Sequence, residues 1–239
     1  MLTSSKIFDR RQCQPIIGVK RKVWRQDDEH ADEFDTEFQE IRTTVLKRDN
    51  YTCKFCTFKS LHYQEVHHID DDHSNNSPSN LVTVCSLCHQ VHHLGIVAIK
   101  GSGFISYIPE LTQTEINWIV RTIFVLLHNL KKDDPVINQL HSLYSVFQER
   151  GADTLKGVFY HGEKSVINLS SPIVLAQYLS LCDDNLFEDR VNSLEGLVVV
   201  PTIQAFHSKQ LETYFHAQGA ANNKKESYEA LFDNLISNL

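Results

Sequence analysis

Residues 66–93 read VHHIDDDHSNNSPSNLVTVCSLCHQVHH, and this window holds six of the chain's 13 histidines and two of its six cysteines. Cys85 and Cys88 form a Cys-x-x-Cys pair, and upstream NYTCKFCTF supplies a second pair, Cys53 and Cys56. Four thiolates in two such pairs are the usual signature of a tetrahedral structural zinc site. The 28 residues between the pairs exceed the ribbon spacing of about 15–20, so the metal is expected to clamp the two ends of an inserted element. That insert begins with the first histidines.

A helix is expected to begin near Cys85. At about 100° per residue, Cys85 and Cys88 share one face while His89 and His93, four apart, share another. One helix can then serve two metals. His92 falls on the cysteine side and is the weaker candidate. A catalytic site needs a third protein ligand and an open position, and His67 can supply the ligand. On a strand, adjacent side chains point to opposite sides, so His68 is left free to act as a base. A neutral imidazole with a pKa near 6.5 can take a proton from attacking water, while a divalent ion stabilises charge on a phosphodiester. Asn80 can hold this region through its amide. Three imidazoles suit zinc or nickel better than magnesium or manganese.

The order His67-His68, Asn80, His89, His93 resembles the HNH (ββα-metal) nuclease motif in its cysteine-stapled form. The resemblance implies a catalytic divalent metal (Mg, Mn, Ni or Zn) on His67, His89 and His93, His68 as general base and Asn80 orienting it, with DNA as the substrate. The structural zinc falls to Cys53, Cys56, Cys85 and Cys88. Asp70, Asp71, Asp72 and His73 read as a solvated loop. Lys47, Arg48, Lys54 and Lys59 are the cations that could offset its charge beside a phosphate. Cys13 and Cys182 have no partner at metal spacing and read as ordinary thiols.

A second similarity is wider. YTCKFCTF, NLVTVC and YIPELTQTEIN, from about Tyr51 to Ile123, resemble the DotN/IcmJ family of type IVB (Dot/Icm-like) secretion systems. The resemblance implies an HNH-like zinc-stapled fold that docks on a tail of the coupling ATPase within a coupling complex. In that family the four cysteines are kept without the histidine pair and the later histidines, whereas this chain carries all of them. Three readings therefore stand side by side: a metal-dependent endonuclease or nickase, a catalytically silent secretion adaptor, and a zinc-stapled nucleic-acid binder.

Composition bounds these readings. The chain of 239 residues has 23 Lys plus Arg against 30 Asp plus Glu, a formal charge of −7, so a broad basic surface is not expected and any DNA contact must be local. No apolar run approaches the roughly 20 residues of a membrane span, and the first residues carry no secretory signal pattern. A cytoplasmic protein is expected.

The remaining chain reads as a strand over 14–25, a helix entered through the acidic run 27–40 and ending near Asn50, and a strand or hairpin near IKGSGFISYIPE. A boundary is placed near Pro109. Beyond it Thr112 and Glu115 form a capping-box pattern ahead of Ile116, Ile119, Val120, Ile123, Leu127 and Leu130. Asp134-Pro135 starts a further helix ending before Gly151, Ser171-Pro172 another, and Tyr228, Leu231, Phe232 and Leu235 mark a last one. The expected class is α+β: a zinc-stapled ββα-metal module with core 51–95 inside residues 1–108, and a mainly α-helical half over 109–239.

Overall fold

The computed structural model describes residues 14–21, 31–70, 72, 74–154 and 169–218. Helix α1 (Ala31–Arg48) leads into a cysteine turn and then an antiparallel hairpin, β1 (Gln64–His68) and β2 (Leu81–Cys85), in which His67 lies opposite Val82. The one-turn helix α2 (Ser86–His89) follows directly, then a 3-10 turn over 90–92 and α3 (Leu94–Lys100). A second antiparallel pair joins β3 (Gly103–Tyr107) to β4 (Leu197–Pro201), with Ile105 opposite Val199. Between these two strands run α4 (Gln113–Asn129), α5 (Val136–Thr154), α6 (Pro172–Leu181), α7 (Asp184–Glu188) and α8 (Arg190–Ser193), and α9 (Gln210–Gln218) follows β4. The class is mixed helix and small antiparallel sheets.

Helix α4 organises the interior. Its start is a capping box: Thr112 Oγ1 accepts from Glu115 N, and Thr112 N donates to Glu115 Oε2 at 2.8 Å, which satisfies two donors that a helix start leaves unpaired. Ile116, Ile119, Val120 and Ile123 are buried in one cluster with the four metal-spaced cysteines, Leu140, Phe147 and Tyr214. Each such side chain contributes about 1.5–3 kcal/mol by leaving water. Gln113, in the first turn, acts as a substitute strand. Its Nε2 donates to Val199 O and its Oε1 accepts from Val199 N, both at 2.8 Å. The second sheet thus joins β3, on one side of residue 109, to β4, far on the other, and α4 is fastened to its edge.

Three local expectations are corrected. Residues 14–21 form no strand; instead Gly18 N donates to Val91 O at 3.1 Å and Gly18 O accepts from Leu94 N at 3.0 Å, so this segment braces the bend between the 3-10 turn and α3. The helix that begins after Cys85 is not continuous, because His93 leaves helical geometry at φ −131° and ψ 55° and becomes the N-cap of α3. Gly151 does not follow α5 but lies within it. A Cβ there would stand 2.8 Å from Ile105 O, so the glycine lets the helix approach β3 closely. Ser171 takes the N-cap position of α6 without a side-chain capping bond. The expected last helix and Cys13 lie outside the described residues.

Candidate metal centres

The first centre is built from one tight turn, the end of a strand and a short helix. Cys53 N donates to Phe58 O at 2.9 Å and Thr57 N to Cys53 O at 3.0 Å, closing a tight turn that holds Cys53 and Cys56. Thr57 pays a conformational cost in it, with φ at 59°, a region β-branched residues seldom enter. Cys85 ends β2 and Cys88 sits in α2. All four thiols are buried, and their sulfurs lie within 4.8 Å of one another, with Cys56 Sγ and Cys85 Sγ at 3.6 Å. Four sulfurs at the usual 2.3 Å from one ion would stand about 3.8 Å apart. The group can therefore hold a metal such as zinc.

Helix α4 supplies the surroundings of this centre. Asn117 Nδ2 donates to Cys88 Sγ at 3.3 Å, Arg121 Nη2 reaches Cys85 Sγ at 3.3 Å and Cys56 Sγ at 3.7 Å, and Trp118 Nε1 donates to Cys56 O at 2.8 Å. None of these three is identified by the sequence pattern. A signal is visible in the sequence: Asn117 and Arg121 are polar residues four apart among the Ile and Val positions of a buried helix, and such a pair shares one face.

The second centre lies across α2. His67 projects from β1, His89 ends α2 and His93 caps α3, and their ligand nitrogens all fall within 4.8 Å of one another. His89 Nε2 and His93 Nε2 are 3.1 Å apart. Two imidazoles on one tetrahedral zinc, each at 2.0–2.1 Å, would place their nitrogens about 3.3 Å apart. His89 Nδ1 meets Glu65 Oε2 at 2.5 Å. A carboxylate on the far nitrogen of a histidine fixes the tautomer that leaves Nε2 free to bind metal. Glu65 was identifiable, since it precedes His67 by two on the same strand and so shares its face.

Burial, followed by the neighbouring His92, His89, His93 and His68 imidazoles, pushes the pKa of His67 down to about 2, so its lone pair is available near neutral pH. His92 packs its ring 4.3 Å from that of His67 and 5.5 Å from Phe55. Burial and then the charges of His89 and Arg190 bring it to about 3. It packs beside the centre, outside the group of converging nitrogens. His89, His93 and Glu65 open onto a cavity of about 730 Å³ whose other walls include Ile96, Ile173 and Phe206.

His68 lies on the opposite face of β1. It is 3% exposed, stacks under Phe38 of α1 at 5.3 Å, and its Nε2 meets Asn76 Oδ1 at 3.1 Å. Asn80 works on the loop: Nδ2 donates to Asp70 Oδ1 at 2.8 Å and Asn75 O at 3.0 Å, and Oδ1 accepts from Asp70 N at 3.3 Å. Asp70 also accepts from Asp72 N and Asn75 Nδ2. Any burial opposes ionisation, but the Asn75 and Asn80 amides hold the Asp70 carboxyl at about 2. Asp71 and His73 lie outside the described residues. Among the proposed cations, Arg48 is committed to structure, donating to Pro78 O and Leu81 O and pairing with Asp49. Lys47, Lys54 and Lys59 are exposed.

No protein-family profile matches the chain. It is 30% identical over 208 residues to the type 4 apparatus protein DotN of Legionella pneumophila subsp. pneumophila, an alignment spanning 86% of this chain and 91% of DotN. No helix among the described residues is long and apolar enough to cross a membrane. With identity at this level across nearly the whole of both proteins, the chain belongs to the DotN family of type 4 apparatus proteins.

Proposed function

We propose that this chain is a zinc-stapled, non-hydrolytic structural component of a type IV secretion apparatus, built on the ββα-metal arrangement, in which the histidine trio binds a second divalent ion. Zinc is the ion assigned to the four cysteines, because a closed tetrathiolate shell suits it best. The observation that carries the reading is the position of His68. A general base must come within about 3 Å of the water it deprotonates, and this imidazole is buried under Phe38 and engaged with Asn76. On the other side of the strand, His89 and His93 of the trio line the cavity beside α3 and α6. The resemblance to the DotN/IcmJ family suggests the occupation: docking on the coupling ATPase, with the helical half as the binding surface.

A second reading, a nickase using His67, His89 and His93 for metal, is favoured by the convergence of those nitrogens. One experiment separates the two. Purified zinc-loaded protein is incubated with supercoiled plasmid and Mg, Mn, Ni or Zn, beside His68→Ala and His93→Ala variants, and is also tested for co-purification with the coupling ATPase encoded in the same cell. The structural reading expects ATPase capture with no nicking above background. Nicking that both substitutions abolish would overturn it.

A further inference from the structure

Arg121 is the only arginine in α4, and it is buried to 1% exposure. Among the described residues no carboxylate pairs with it, and its Nε and Nη1 make no hydrogen bond. Its Nη2 reaches the sulfurs of Cys85 and Cys56, and the guanidinium lies 3.8 Å above the Phe58 ring and 4.9 Å from that of Trp118. Burying a cation without a counter-charge is prohibitively costly, and two aromatic faces recover only part of that cost. Neutral thiols add no negative charge. Four thiolates around a divalent ion leave two units of excess negative charge, sitting where the guanidinium points.

We infer that Arg121 is the built-in counter-cation of the cysteine centre: it offsets half of the excess charge of a tetrathiolate dication complex and thereby sets how tightly that centre holds its metal. Asn117, one turn earlier on the same face, adds a neutral hydrogen bond to Cys88. The centre is therefore shared between two distant stretches of sequence, with ligands from 53–88 and charge compensation from α4. Arg121 is a positioning and charge-balancing residue with no role in binding the ion directly. The inference rests on the zinc assignment made above.

The test uses the full chain as wild type, Arg121→Met and Arg121→Lys, loaded with zinc and separately with cobalt. Wild-type protein that binds no stoichiometric zinc at the cysteines refutes the zinc assignment and this inference together. With zinc bound, Arg121→Met should weaken metal retention against a competing chelator by roughly 10–100-fold, the range for residues that support metal ligands. Its cobalt form should show a sulfur-to-metal charge-transfer band moved to lower energy, because the thiolates lose a stabilising positive charge. Arg121→Lys, which keeps the charge, should recover most of the affinity and the band position. Retention within about twofold of wild type in Arg121→Met, or a lysine variant as weak as the methionine one, overturns the inference while leaving the zinc assignment intact. Should Arg121→Met not fold, the lysine variant decides alone: a folded lysine protein that holds zinc like wild type supports the charge role, and one that loses zinc refutes it.

Discussion

Replacing Gln113 by methionine tests whether its amide fastens α4 to the second sheet. Methionine keeps the length of the side chain and removes its amide. Val199 is fully buried, and its N–H and C=O would both lose their 2.8 Å partners, as would Asn117 Oδ1, which accepts from Gln113 Nε2 at 3.1 Å. An unsatisfied buried backbone group costs about 1–3 kcal/mol, and two such groups, less a small gain from burying a thioether, give a destabilisation of about 2–5 kcal/mol. For a chain of this size each kcal/mol lowers Tm by about 2–4 °C, so a fall of roughly 4–20 °C is expected. Urea and thermal melts of the zinc-loaded protein supply the measurement. Gln113→Ala should cost less than the methionine change, because the space it opens can admit water to the Val199 groups. A methionine variant within about 1 kcal/mol of wild type would show that the amide does not fasten α4 to the sheet edge.

Two further outcomes follow from the metal centres. Cys53→Ser should drop bound zinc below one equivalent at that site and cost several of the roughly 10–16 kcal/mol that structural zinc supplies in small domains; elemental analysis beside a thermal melt checks it, and unchanged values of both would refute the cysteine centre. Acid should destabilise the fold well above the carboxylate range. Burial holds His67 at about 2 and His92 at about 3 in the folded chain, against about 6.5 unfolded, so between these values the unfolded chain binds more protons. Their contribution is complete above pH 6.5 and is lost progressively as pH falls from there toward the folded values, by about 2 kcal/mol per histidine at pH 5. Urea midpoints at pH 7.5, 6 and 5 that do not move would contradict it.

The sequence marked the cysteines and histidines that converge better than the backbone that brings them together. Cys-x-x-Cys spacing is local, and it names Cys53, Cys56, Cys85 and Cys88 without reference to any other element. The approach of His67, His89 and His93 was likewise legible, although by a different route from the one observed: the chain does not continue as one helix from Cys85 but breaks at His93, and residues near Gly18 take over its backbone hydrogen bonds. A contact across more than seventy residues leaves no mark in local periodicity. The same holds for β3 and β4, ninety residues apart, and for Gly151, whose glycine looks like a helix stop until β3 is placed against it. Asn80 was expected to steady its region through its amide and does make loop bonds to Asp70 and Asn75, while the amide meeting His68 belongs to Asn76, four residues nearer along a loop whose path no spacing rule gives.

The two candidate centres differ in what they ask of the rest of the molecule. The cysteine centre is buried: its four cysteines share one core cluster with α4 and with Phe58, which packs edge-on against Trp118 and Tyr214. A metal held by these buried sulfurs would add to the stability of the fold. The histidine centre has one wall missing, where Glu65, His89 and His93 face the cavity beside α3 and α6. Its ligands are fixed by a strand, a helix end and a helix cap, each held by backbone bonds that do not involve the metal. His67, His89 and His93 are the residues that would hold a divalent ion there, and two of them, His89 and His93, border the cavity. Placing His68 under Phe38, on the other side of β1, separates this trio from the residue best suited to deprotonate water beside it.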